Sequence, residues 1–368
     1  MVKCGYVVLR QGLAGLAAER GIISQHPAHG PRAFDPARRD PIRLTPTRET
    51  RRRPIGDFVG RKVLPSLGIA DRFVVEPAPD PGTRSSLWLI RIEGKRPLLL
   101  RSHPHPRQAA ASVAAMRHLE ALDLPAPRVV FHHIPLAAWL VPGRGPRCTT
   151  VETWIDGVAH ARLTDPASIG PATLSVAELL ARVHSVTRGR WGRPDRPASG
   201  SFAAGALRVA RRMLRDLMKA GWLAEASGGL VENELGAWRE RIDAIRSFSL
   251  VHNDFNRHNV VVTASGAVAL VDLHRIAYEP FCEEVLNALY HFTRKDADLG
   301  ALFEETYFKH AGEPSRRLFY ETRGFFEPLH FLKKMHRRAR ILGPRRGAPD
   351  DRKMARYLRG LTMASSLE

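Results

Sequence analysis

Asp254, Asn259 and Asp272 are the residues of this sequence best placed to do chemistry. Asp254 and Asn259 lie five apart in His252-Asn253-Asp254-Phe255-Asn256-Arg257-His258-Asn259, and Asp272 follows thirteen positions later, at the end of the apolar run Val268-Ala269-Leu270-Val271. Two carboxylates and an amide are hard oxygen donors, the kind Mg²⁺ takes in small number while it keeps several waters. Phosphoryl transfer to an alcohol needs little more: a base to orient the hydroxyl, oxygen ligands for the metal, a cation on the phosphates and a loop to cover them. Asp254 can point at an acceptor hydroxyl while Asn259 and Asp272 share one ion. His258 and His274 flank the three; hydrogen-bonded structural roles are expected for both, with proton shuttling the alternative.

Rigid elements must hold this constellation. Val260–Val262 and Val268–Val271 read as two short strands joined by a turn at Ser265-Gly266, which brings Asp272 back beside Asn259. Upstream, strands are expected over Arg72–Glu76, Leu87–Ile92 and Pro97–Arg101, then a helix over Ala109–Leu122, then strands over Arg128–Phe131 and Thr149–Ile155. The order β-β-β-α-β-β describes a small antiparallel sheet with one helix, not an alternating α/β layout. After Gly157 the chain reads as mainly helical, with Ala172–Ser185, Phe202–Ala224 and Asn233–Ile245 as the clearest segments.

The pattern H-x-D-x₄-N, followed by a β-hairpin and Val271-Asp272, resembles the aminoglycoside phosphotransferase and choline kinase group, distant relatives of protein kinases. The resemblance covers about residues 70 to 300. It implies an α+β, two-lobed protein-kinase-like fold, with a small antiparallel β-sheet N-lobe carrying one helix and a larger, mainly helical C-lobe. The expected division is a basic, Pro-rich disordered tail over 1–54, a nucleotide-binding N-lobe over 55–156 and a C-lobe over 157–368. By the same resemblance Asp254 would be the catalytic base, with Asn259 and Asp272 as Mg²⁺ ligands and ATP as the phosphoryl donor. Arg101 would meet the phosphates, where an Arg grips bidentately and stays charged. Gly82, Ser85 and Ser86 fall where the loop over the nucleotide belongs, and backbone groups near Glu152 and Trp154 would read the adenine edge. His184, in Leu179-Leu180-Ala181-Arg182-Val183-His184-Ser185, matches a helix end common in the group and reads as a packed structural residue.

Two departures stand out. The helix after the third strand usually carries a Glu that pairs with the strand cation, yet Ser112 to Ala115 holds no acid, and Glu120 comes about two turns too late. Further on, Glu279-Pro280-Phe281-Cys282-Glu283-Glu284 replaces the usual Gly-Asp-Pro-x-x-Asp; Glu283 is expected to tie the loop to the C-lobe.

The 368 residues carry a net charge of +20. Such an excess suits an anionic substrate, an acidic membrane surface or a nucleic acid. It also follows from an Arg-, Ala-, Pro- and Gly-rich composition of the kind a GC-rich gene encodes. Three separated cysteines argue against a disulfide framework or a zinc site and, with no signal peptide or membrane-length apolar run, point to the cytoplasm. The acceptor region is basic, with Arg208, Arg211, Arg212, Arg215 and Lys219 along one segment and Lys333, Lys334, Arg337, Arg338 and Arg340 along another. That disfavours a polycationic aminoglycoside and favours a small alcohol: a sugar, an amino alcohol or a phosphorylated or lipid-linked metabolite. The alternatives are a regulatory ATP binder with weak turnover, which the missing helix acid would suit, and a basic nucleic-acid-binding protein, for which no recognisable motif is present.

Overall fold

The computed structural model describes residues 54–79, 86–140, 148–344 and 351–364, all within one compact unit, 48–368. All of the expected tail except Pro54 lies outside the described residues, as do Gly82 and Ser85. The fold is the expected two-lobed α+β architecture. Strands β1 (Phe73–Pro77), β2 (Ser86–Ile92), β3 (Leu98–His103), β4 (Val129–His133) and β5 (Cys148–Thr153) form an antiparallel sheet in the order β1-β2-β3-β5-β4. Helix α1 (Pro106–Ala121) separates β3 from β4.

Alternation along the strands decides what each face does. Trp88, Ile90, Leu100 and Val151 point to one face and pack on Val59, Val63 and Leu64 of a short helical segment that precedes the sheet. Arg101, on the opposite face of β3, registers with Thr150 of β5. Glu152 therefore lies on the same face as Arg101, one diagonal step away. On α1, Ala115, Met116 and Leu119 belong to the main core of the C-lobe, and the His118 ring makes a 2.8 Å hydrogen bond to the Tyr278 hydroxyl. The helix between the lobes is thus anchored by small apolar residues rather than by an acid.

After β5 comes β6 (Val158–Ala159), then α2 (Pro166–Ser185). Helix α2 begins earlier than Ala172 because Asp165 caps it, accepting from the Ala167 N–H. Pro171 sits early in the helix, where its missing N–H leaves only the Ala167 carbonyl without its helical donor. Helices α3 (Phe202–Lys219) and α4 (Glu225–Ala237) follow; the chain breaks at Gly221 (φ 73°) between them, where one longer helix over Phe202–Ala224 was expected. Strands β7 (Phe248–Val251), β8 (Val260–Val262), β9 (Val268–Leu270) and β10 (Ala277–Glu279) frame the motif. β8 pairs with β9 on one side and with β6 on the other, while β7 pairs with β10. The C-terminal part is α5 (Cys282–Thr293), α6 (Ala297–Ala311), α7 (Glu313–Leu342) and α8 (Arg352–Ala364). No helix among the described residues is long and apolar enough to cross a membrane.

Where the chain leaves β5 for β6, Gly157 passes against β8. A Cβ there would lie 2.4 Å from the Val262 carbonyl oxygen, a backbone atom that cannot yield cheaply. Gly157→Ala is therefore expected to destabilise the protein by about 1–3 kcal/mol, the usual cost of overpacking, measured by denaturant unfolding.

Candidate active site

Strand β7 is buried throughout and delivers His252 into the core. The His252 ring is held between two partners: Nδ1 accepts from the Asp254 N–H at 3.3 Å and Nε2 donates to the Val271 carbonyl at 2.8 Å. The turn is then closed by one carboxylate. Glu284, buried at the start of α5, accepts from the His252 N–H at 2.8 Å and from the Asn253 N–H at 2.7 Å. Asn253 takes φ 61°, a left-handed conformation that Asn tolerates better than most residues and that presents both N–H groups to one partner. His184 meets the same carboxylate at 3.0 Å through Nε2, and its Nδ1 lies 2.7 Å from the Tyr307 hydroxyl. Burial opposes ionisation of Glu284, yet His184 and His252 hold its carboxyl below the usual range. The clamp is thus Glu284. Glu283, expected in this role, projects about 100° away around the helix and pairs with Lys333.

The rest of the loop is internally braced. The Asn256 and Asn259 side-chain amides each donate to the Asp254 carbonyl at 2.9 Å, and the Asn256 Oδ1 accepts from the His258 N–H at 2.9 Å. With Nδ2 of Asn259 committed, its Oδ1 is the atom available to a ligand. The Val271 N–H donates to the Asn259 carbonyl at 3.0 Å, which brings Asp272 next to Asn259. Asp272 adopts φ 62°. Burial would raise its carboxyl, but the 3.0 Å hydrogen bond from His274 and the charge of Arg101 hold it far below the ordinary carboxylate range. His274 thus has the structural role expected of it.

Arg101 is the cation of β3. Its guanidinium reaches Glu152 at 3.3 Å and Asp272 at 3.5 Å, with its side chain 12% exposed. The acid that α1 lacks is supplied by β5. This corrects the expected use of Glu152: its backbone lies inside the sheet, registered with Leu99 on one side and Val129 on the other, and its side chain serves Arg101. Trp154 is likewise committed, its N–H donating to the Pro97 carbonyl at 3.2 Å, so that group does not serve the adenine edge. Ser86 opens β2 opposite Ser102. Glu120 is turned to Arg128 at 3.6 Å, away from Arg101.

Asp254 faces a cavity of about 810 Å³. Arg337 approaches its carboxylate at 3.7 Å and Arg275 at 4.0 Å. Arg257 braces the cavity's rim through His160, donating from Nε to Nδ1 at 3.0 Å. Of the two basic segments read from the sequence, Lys333, Lys334 and Arg337 line the cavity, whereas Arg208, Arg211, Arg212, Arg215 and Lys219 lie exposed along α3 and do not. Arg338 pairs with Asp351 and Arg340 is exposed. Spacing alone missed Glu284 and the Glu152 pairing, although both acids are visible in the sequence.

A braced loop, a carboxylate beside an amide and a strand cation thus meet at one place in the two-lobed fold. Residues 78–319 match the phosphotransferase enzyme family, and the chain belongs to it. No curated protein matches the chain. Among solved structures, aminoglycoside phosphotransferase APH(4)-Ia shares the fold at 17% identity, covering 84% of this chain and 98% of that one with a TM-score of 0.54. A thermostable mutant of it, in ternary complex with ADP and hygromycin B, matches at 18% identity, 84% and 99% coverage and a TM-score of 0.55. Another, with AMP-PNP and hygromycin B, matches at 18% identity, 84% and 97% coverage and a TM-score of 0.54.

Two outcomes follow. Glu284→Gln places an amide N–H₂ against donors and leaves one backbone N–H unpaired; a loss of about 2–4 kcal/mol in unfolding free energy is expected, with activity falling alongside. His160 gives a pH signature. Its ring is neutral, with Nε2 3.2 Å from the Thr173 hydroxyl, and burial and then Arg257 push its pKa from 6.5 down to about 4. Above pH 6.5 neither folded nor unfolded chain protonates it. Below, only the unfolded chain does, so stability falls between pH 6.5 and about 4, by at most about 1.4 kcal/mol per pH unit from this residue. His160→Gln should flatten that slope in urea titrations.

Proposed function

We propose that this protein transfers the γ-phosphoryl group of Mg·ATP to a hydroxyl of a small molecule. The observation that carries the reading is the Asn259 amide, whose N–H is tied to the Asp254 carbonyl so that its oxygen is left for a ligand beside the ionised Asp272. An amide oxygen and a carboxylate fit Mg²⁺, which keeps waters in its other positions. When bound, the ion supplies charge neutralisation on the phosphate oxygens. Arg101 grips the phosphates from β3, held in place by Glu152. Asp254 orients the acceptor hydroxyl. The acceptor oxygen bonds to the γ-phosphorus as the bond to the bridging oxygen breaks, ADP leaves with the electron pair, and the hydroxyl proton passes to Asp254. The nucleotides in the APH(4)-Ia complexes support ATP as donor.

A sugar, an amino alcohol or a related metabolite suits the cavity better than an aminoglycoside, because the wall next to Asp254 is cationic and would repel a polycation. The intact set of Asp254, Asn259 and Asp272 speaks for turnover over a purely regulatory role. Asp254→Asn should lower turnover by about 10²–10⁴-fold, the usual worth of a general base, with nucleotide affinity little changed. Asp272→Ala should weaken ATP binding in Mg²⁺ but not in EDTA. Both are read by steady-state kinetics and calorimetric titration; near-normal turnover of the first variant would remove Asp254 from the mechanism.

A further inference from the structure

The cavity beside Asp254 is built from matching faces of two helices. On α7, His330, Lys334 and Arg337 recur at helical spacing; on α5, Asn287 and His291, followed by Arg294 at its C-cap, do the same. Both sets converge on the loop that carries Asp254. The charges in this wall do not cancel. Seven cationic side chains line the cavity against four carboxylates, and three of the carboxylates are committed. Glu284 clamps the loop, Glu283 pairs with Lys333, and burial pushes Glu279 up to about 7. The fourth, Asp254, has Arg337 at 3.7 Å and Arg275 at 4.0 Å, and as the base it must address the acceptor. Lys334 donates to the Asn287 oxygen at 2.8 Å and lies 5.2 Å from the centre of the Tyr290 ring. Neither Lys334 nor Arg294 forms an ion pair with a carboxylate among the described residues.

Two further observations mark the same place. His330 is 4% exposed, and its Nε2 has no hydrogen-bond partner among the described residues. A buried ring nitrogen without a partner is costly, and a ligand atom reaching it would remove that cost. The positive field is also felt by its neighbours. Burial and then Arg337 bring Lys334 down to about 8, and burial and then Lys334 and Arg294 bring His291 down to about 3. A dianion in this wall would relieve the repulsion, satisfy His330, and draw Arg337 from Asp254, freeing the base for the hydroxyl.

We propose that the acceptor is itself a phosphorylated small molecule, its phosphate seated on Lys334, Arg337 and Arg294, so that the product carries two phosphate groups. The inference rests on the phosphotransferase reading above and names its substrate class. Three cations around one pocket suit a tetrahedral dianion better than a carboxylate, which offers two oxygens to two donors.

The test has two arms. In the first, protein saturated with Mg·AMP-PNP is dialysed to equilibrium against radiolabelled orthophosphate. One site per chain is expected, weakened about 10- to 100-fold in Lys334→Ala and in Arg294→Ala, as for a lost charged hydrogen bond. In the second, paired acceptors (glycerol and glycerol phosphate, ribose and ribose 5-phosphate, glucose and glucose 6-phosphate) are offered with Mg·ATP. Turnover is expected only from phosphorylated members, with Lys334→Ala raising their KM at least about tenfold and leaving the KM for ATP unchanged. A phosphate site without turnover of any acceptor would support the anion pocket and count against the phosphotransferase reading. Turnover of unphosphorylated alcohols at equal efficiency, or phosphate binding indifferent to Lys334 and Arg294, would overturn the proposal and leave that reading standing.

Discussion

One buried carboxylate holds the loop that carries Asp254 in shape. Glu284 accepts two consecutive backbone N–H groups, and they can point the same way only because Asn253 turns left-handed. Leaving those donors unpaired in the core would cost several kcal/mol. Leaving the carboxylate unpaired would cost more, so loop and helix α5 are specified together. His184 and Tyr307 extend the network into α2 and α6. The loop that presents Asp254 is thereby fixed to the main core of the C-lobe and not merely to its own flanking strands, as precise placement of a reactive group requires.

A second arrangement joins the two lobes. Arg101 stands on the sheet of the smaller lobe and touches Asp272 of the larger one. In the related group the cation is steadied by an acid on the intervening helix. Here that helix presents Ser112 and alanines, and the steadying carboxylate comes from the neighbouring strand as Glu152. The consequence is mechanical. A pairing within one rigid sheet does not depend on the position of α1, which packs instead on the C-lobe through Met116 and Leu119. The position of Arg101 is therefore set by strand register, and α1 is released from that duty.

Much of this was legible in the sequence, and the rest was hidden for identifiable reasons. The juxtaposition of Asp254, Asn259 and Asp272 was readable from their spacing because a short loop and a tight hairpin leave little geometric freedom between them. The β-β-β-α-β-β order carried the fold class. Glu152 was misread because strand-to-strand register is not written in local spacing: Arg101 and Glu152 are 51 residues apart and meet only through the β3–β5 pairing. Glu283 was preferred over Glu284 because neighbouring helical residues point about 100° apart, and only packing tells which faces inward. The basic segments looked alike in composition, yet α3 turns its arginines to solvent while α7 turns Lys334 and Arg337 to the cavity. Helical pattern gives a face, and tertiary structure decides what that face meets.

The central claim is that Asn259 and Asp272 hold one divalent ion against a nucleotide phosphate beside Asp254. Diffraction from crystals grown with Mn²⁺ and AMP-PNP, collected for the anomalous signal of manganese, tests it directly. The account predicts a peak about 2.1 Å from both the Asn259 Oδ1 and the Asp272 carboxylate, in contact with phosphate oxygens. Bound nucleotide with manganese held elsewhere, or with no ion touching these two residues, would contradict it.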